Sequence, residues 1–110
     1  MKIEDLQIFN EMPFLFWIKN RDGKYLWGNR AIANLAGEDV RGKTDAELAW
    51  SENAEELKAD DLQVFQTGKP KYFHESVDKS NQGKAMLNVC KWLGDFEGTE
   101  QCFGISFTID

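Results

Sequence analysis

The sequence predicts an α+β fold: a five-stranded antiparallel sheet with helices packed on one face and a short helix at the N-terminus. Three observations carry this. Two short apolar runs, Phe14 to Ile18 and Tyr25 to Trp27, flank the polar turn Asn20-Arg21-Asp22-Gly23 and read as a hairpin. The clearest helical pattern runs from Glu52 to Thr67 and is stopped by Gly68 and Pro70. Beyond it Phe103, Ile105, Phe107 and Ile109 alternate with Gly104, Ser106 and Thr108, the period of a half-buried strand. Strands, then helices, then strands again put the helices together on one sheet.

Each element has a local reason. Ile3, Leu6, Phe9 and Met12, with Ile8 beside them, form a one-sided helical stripe over residues 1–12. A helix this short needs a partner surface. Its own sheet and a second copy both remain open, and residues 13–110 form the single domain body. Gly23 supplies the positive φ of the hairpin turn. Asn29 caps a small helix with Ala31, Ile32 and Leu35 on one face, and Gly37 ends it. Thr44-Asp45-Ala46-Glu47 has the capping-box form and opens a short helix holding Leu48, with Trp50 in the connection. In the long helix, Ser51 is the expected cap, and Glu52, Glu55 and Glu56 suit the positive end of the dipole. Ala54, Leu57, Leu62 and Phe65 are expected to face inward, with Glu55-Glu56 and Asp60-Asp61 on the solvated side. Three strands follow, Lys71 to Val77, Lys84 to Leu93 and Gln101 to Ile109, separated by loops at Asp78 to Gly83 and Gly94 to Gly98.

The stretch IKNRDGKYLWGNRAIANLAG, followed by VRGKTDAEL, resembles the first half of a PAS domain, the sensory module of bacterial signalling proteins. Asp22, Gly23, Asn29, Gly37, Gly42 and Asp45 carry the match, which extends over about Met12 to Asp110. Two departures stand out. Lys91-Trp92-Leu93-Gly94 keeps the lysine of the family's Lys-x-Pro-Leu segment but not its proline, and Thr108-Ile109-Asp110 replaces the terminal Asp-Ile-Thr junction. The resemblance implies an N-terminal cap helix, a ligand pocket, and a homodimer formed through that helix. It also implies an effector on the same polypeptide: the histidine kinase of a two-component system, a diguanylate cyclase or a transcription regulator.

Composition narrows the function. A net charge of −6 and a pI near 4.8 argue against nucleic acid and against an anionic membrane surface. No apolar run has the length of a membrane span, and Glu4 and Asp5 stand where a signal peptide needs positive charge. Two cysteines form no disulfide framework, so a reduced, cytoplasmic protein is expected. No phosphate-binding glycine loop, nucleophile elbow or metalloprotease helix appears, so no catalytic residues are assigned and the domain is read as non-catalytic. The alternative from another class is a small stand-alone α+β enzyme or ligand carrier.

Cofactor readings follow from what the chain carries. Haem-binding PAS relatives hold the metal through a histidine of the long helix, and Glu52 to Thr67 has none. His74 alternates with Tyr72 and Ser76 on a strand, where it can face the pocket. Light-sensing flavin relatives need a cysteine near the short helix, and Gly42 to Glu47 has none, which also argues against a coumaroyl attachment. Cys90 and Cys102 are expected opposite each other on the last two strands, as small hydrophobes. One histidine and two cysteines make a zinc site improbable, so no metal ligands are assigned. Haem and covalent flavin are thus argued against, and a non-covalent small ligand remains open. The expected pocket lies between sheet and helices and is lined by Trp27, Leu35, Trp50, Leu62, Phe65, His74, Leu87, Val89, Phe103 and Ile105.

Overall fold

The computed structural model describes residues 1–77 and 80–109, so Asp78 and Lys79 of the expected loop, and Asp110, lie outside the described residues. Five strands, β1 (Leu15–Lys19), β2 (Tyr25–Gly28), β3 (Lys71–Val77), β4 (Ala85–Phe96) and β5 (Thr99–Ile109), form one antiparallel sheet in the order β2-β1-β5-β4-β3. Two α-helices, α1 (Arg30–Ala36) and α2 (Ala54–Thr67), lie on its inner face with 3₁₀ turns at Asp45–Glu47 and Ser51–Asn53. A 3₁₀ helix, Ile3–Glu11, covers part of the outer face.

The β1–β2 turn forms as its residues dictate. Asn20 Oδ1 accepts from the amides of Asp22 and Lys24, both at 3.0 Å, and Gly23 has φ 82°. Asn29 caps α1 and ties three segments together. Its Oδ1 accepts from Ile32 N at 3.2 Å and Phe16 N at 3.1 Å, while Nδ2 donates to the carbonyls of Phe9 and Phe14. A fully buried asparagine amide is tolerated because its bonding capacity is filled. Gly37 ends α1 in the left-handed region, and the capping box at Thr44 and Glu47 is present.

Three expectations need correction. The loop expected from Gly94 to Gly98 is a two-residue turn, Glu97-Gly98, with φ 54° and 84°, the hairpin geometry that matches strand twist. Gly94 stays in the ladder opposite Gln101, where the Phe103 ring packs across its bare Cα. The longer strands move the register, so Cys90 pairs with Ile105 and Cys102 with Leu93, and the two cysteines sit on opposite faces.

The third correction concerns α2. It begins at Ala54 rather than Glu52, and its buried stripe is Leu57, Asp61 and Val64. Leu62 is exposed, and Phe65 is partly buried with the Arg21 guanidinium 4.6 Å from its ring centre. Asp61, expected on the solvated side, is 4% exposed.

Candidate functional site

The inner face of the sheet carries charge where a core normally carries hydrocarbon. Its strand positions are Leu15, Trp17 and Lys19 on β1, Phe73, Glu75 and Val77 on β3, Leu87, Val89 and Lys91 on β4, and Cys102, Gly104 and Ser106 on β5. Small residues on the central strand make room for long neighbours. Gly104 pairs with Trp17 on one side and Lys91 on the other, and a Cβ there would stand 2.3 Å from the Trp17 ring.

Lys19 Nζ donates to Asp45 Oδ2 at 2.6 Å and to Asp61 Oδ2 at 2.8 Å. Lys91 Nζ donates to the other Asp61 oxygen at 2.7 Å and stands 2.9 Å from Glu75 Oε2. Asp45 Oδ1 also accepts from the Tyr25 hydroxyl at 2.7 Å and from Trp50 Nε1 at 2.8 Å. The two lysines, the three carboxyl groups and Tyr25 are all buried. Burial would lower the Lys19 pKa, but Asp61 and Asp45 hold it above the ordinary lysine value. Burial would raise the Asp61 pKa, but Lys19 and Lys91 hold it below the usual carboxylate range. Glu75 differs: burial, helped by the neighbouring Asp60 carboxyl against the pull of Lys91, pushes it up to about 7. Two ammonium groups thus face two committed aspartates and one surplus carboxyl group.

A cavity of about 30 Å³ adjoins this cluster, bounded by Leu15, Trp17, Ile32, Leu35, Trp50, Leu57, Val77 and Leu87 together with Lys19, Tyr25, Glu75 and Lys91. That volume holds about two waters, so a larger guest must displace part of the wall. Among the described residues, two of its lining groups, Trp17 Nε1 and Glu75 Oε2, have no aligned hydrogen-bond partner, and Lys91 meets Glu75 as an ion pair.

Of the ten residues expected to line the pocket, Leu35, Trp50 and Leu87 meet at this cavity. Val89 is buried in the same inner core without bounding it. Trp27 and Phe103 lie on the other face, in the cluster with Leu6, Phe16, Ile18 and Phe96. His74 and Ile105 border a shallow outer groove with Tyr72, Cys90 and Phe107. Leu62 and Phe65 fall outside the buried stripe of α2. The parity expected for β5 is reversed: Phe103, Ile105 and Phe107 point outward, and Cys102, Gly104 and Ser106 inward.

Sequence reasoning passed over Lys19, Tyr25, Asp61 and Glu75, although a signal existed. Asp61 occupies the position between Leu57 and Val64 where the stripe calls for an apolar residue, and Glu75 stands between Phe73 and Val77 at strand parity. Among the described residues, no group of three or more histidine, cysteine or acidic side chains could hold a metal ion, and no helix is long and apolar enough to cross a membrane.

Comparison with known proteins fits this architecture. VqmA bound to DPO superposes with a TM-score of 0.82 at 19% identity, covering 97% of this chain and 57% of that one. The VqmA–ligand–DNA complex of Vibrio cholerae gives 0.82 at 17% identity, covering 98% and 51%. The chain therefore spans little more than half the length of these proteins. The PAS domain of an HTR-like protein from Haloarcula marismortui gives 0.75 at 19% identity, covering 96% and 89%. No curated protein sequence matches. The family model described as the PAS fold matches residues 9–107, and the chain belongs to the PAS family.

Proposed function

We propose that this chain is a non-catalytic sensory PAS module, with residues 1–12 as its cap and 13–110 as its body, that takes a small non-covalent ligand in the inner cavity. The observation that carries this is the ionic cluster beside the cavity. Burying five ionisable groups is expensive, and an apolar core of equal volume is often at least as stable. The cluster joins β1, β2, β3, β4, the Asp45 turn and α2, so a guest that displaces one wall shifts the others. Leu35, Trp50 and Leu87 supply apolar contact. The test is mass spectrometry of small molecules released from the purified, denatured domain, which is expected to be colourless. A stoichiometric compound supports the reading. An empty protein whose melting point no compound raises opposes it, and a Soret or flavin band would replace it with a chromophore.

The module reports to an effector domain of the same polypeptide: a histidine kinase, a diguanylate cyclase or a transcription regulator. VqmA, of the same fold, has been solved with DPO and with DNA, which favours the regulator. With a net charge of −6, these residues themselves contact neither nucleic acid nor membrane, and the protein works in the cytoplasm. Signal passes through a homodimer built on the N-terminal helix, where Ile3 and Ile8 are exposed. Turnover of a small molecule by the isolated domain would favour an enzyme instead.

A further inference from the structure

The ligand-binding reading leaves open what chemistry the cavity selects, and its unsatisfied groups bear on that. Glu75 is 6% exposed, and among the described residues its Oε2 accepts no aligned hydrogen bond, although Lys91 Nζ stands 2.9 Å away. The ion pair offsets part of the cost of burial, and an occupant that donates to the unfilled lone pair of this oxygen offsets more. The groups around Glu75 fix the sign of the field. Lys19 and Lys91 are engaged by Asp45 and Asp61, and Asp60 adds further acidity from α2. Lys91 has three N–H groups and keeps donor capacity beyond Asp61, but Asp45, Asp61 and Glu75 already outnumber Lys19 and Lys91, so an incoming anion meets surplus negative charge. Trp17 Nε1 offers one neutral donor, which the oxygen of an amide can fill, and most of the remaining wall is apolar.

Resting on the ligand-binding reading, we infer that Glu75 is the recognition group of the inner cavity and that the ligand is a small neutral or cationic nitrogen compound, amide- or amidinium-like, that donates an N–H to Glu75 Oε2; carboxylates and phosphates are excluded. Neutral donors gain one hydrogen bond. Cationic donors gain a charge-assisted one, roughly twice as strong.

Three probes of matched shape test this on the full chain at pH 8, where Glu75 is ionised: acetamide, acetamidinium and acetate, titrated while amide and indole N–H resonances are followed by NMR. Acetamide and acetamidinium should shift the Trp17 indole and the amides of β3 and β4, and acetate should not. Glu75→Gln, which keeps shape and an acceptor oxygen but no charge, should weaken acetamidinium at least about fivefold and leave acetamide within about twofold. Acetate binding as tightly as acetamide, or acetamidinium unaffected by Glu75→Gln, overturns the assignment while leaving the cavity a ligand site. Absence of binding by all three overturns both the assignment and the ligand-binding reading.

Discussion

The two faces of the sheet are held by different physics. The inner face carries the larger apolar core, fourteen buried residues among those described, with directional paired charges set into it. The outer face beneath the N-terminal helix is aromatic packing: Phe9 stacks on Phe16 at 4.1 Å between ring centres, and Phe16 meets Trp27 and Phe103 edge-on at 6.0 Å. Hydrocarbon contacts forgive small shifts, whereas buried ion pairs do not, because their geometry must offset desolvation. A fold that needed only stability could have used aromatics on both sides. Confining ions to the side with the cavity makes that side responsive to charge and leaves the other as scaffold.

The largest break in this comparison is Asp61→Ala. It strands Lys19 and Lys91 beside a single remaining carboxyl each, and removing one partner of a buried pair typically costs about 3–5 kcal/mol. Urea unfolding should show that loss, while Glu56→Ala on the exposed face of the same helix stays within about 0.5 kcal/mol. Equal effects would mean that the inner network does not anchor α2.

Titration separates the faces next. Glu75 has a folded pKa of about 7 against an ordinary 4.5, so the folded state holds a proton that the unfolded chain has lost between those values. Stability is therefore unpenalised below about pH 4.5, falls as pH rises from there to 7, and is flat above. The full difference is about 3 kcal/mol. Asp61 acts in the opposite sense at lower pH, since its depressed carboxyl loses stabilisation on protonation. Thermal melts from pH 4.5 to 8 should show the decline, and Glu75→Gln should flatten it. A decline that persists in that variant would assign it to another group.

How much of this was legible depends on whether a residue's role is local. Gly23, Asn29, Gly37 and the Thr44–Glu47 box act through their own backbone, and each stands where its chemistry predicts. Strand faces are different. Alternation in β5 identifies two faces but not which is inner, and here both bury apolar residues, one beneath α1 and α2, the other in part beneath Ile3–Glu11. Phe103 looked like an inner residue because apolar residues usually mark the only buried side. The charge cluster was hidden for a related reason. Lys19, Asp45, Asp61, Glu75 and Lys91 are scattered through the chain and become a site only when five elements converge.

On the outer face, Phe9→Ala should cost about 2 kcal/mol, below the loss expected for a fully buried phenylalanine because Phe9 is only partly buried. The melting curve should shift without any change in its dependence on pH. A pH dependence altered by this variant would couple the two faces that the comparison keeps apart.

The smallest expected effect on stability belongs to Ile8→Asp. Leu6 is fully buried in the domain's own outer cluster, so the N-terminal helix folds back on its sheet, yet Ile8 remains 63% exposed and Ile3 40%. An exposed isoleucine contributes little to folding, so the melting point should move by less than the equivalent of about 0.5 kcal/mol. Association is another matter. In a twofold dimer built on this helix, a charge at Ile8 would face its own copy or an apolar partner, and light scattering should show a monomer where the parent chain dimerises. Phe107→Asp supplies the contrast. It alters the open groove that Phe107 shares with Tyr72, at the expense of a ring contact with Phe14 at 5.5 Å, so its melting point is measured beside its oligomeric state. If Ile8→Asp alone dissolves the dimer, the helix edge is the interface. If Phe107→Asp alone does so, the bare half of the sheet is. If the parent chain is a monomer at high concentration, the outer face is scaffold only and the dimer reading fails.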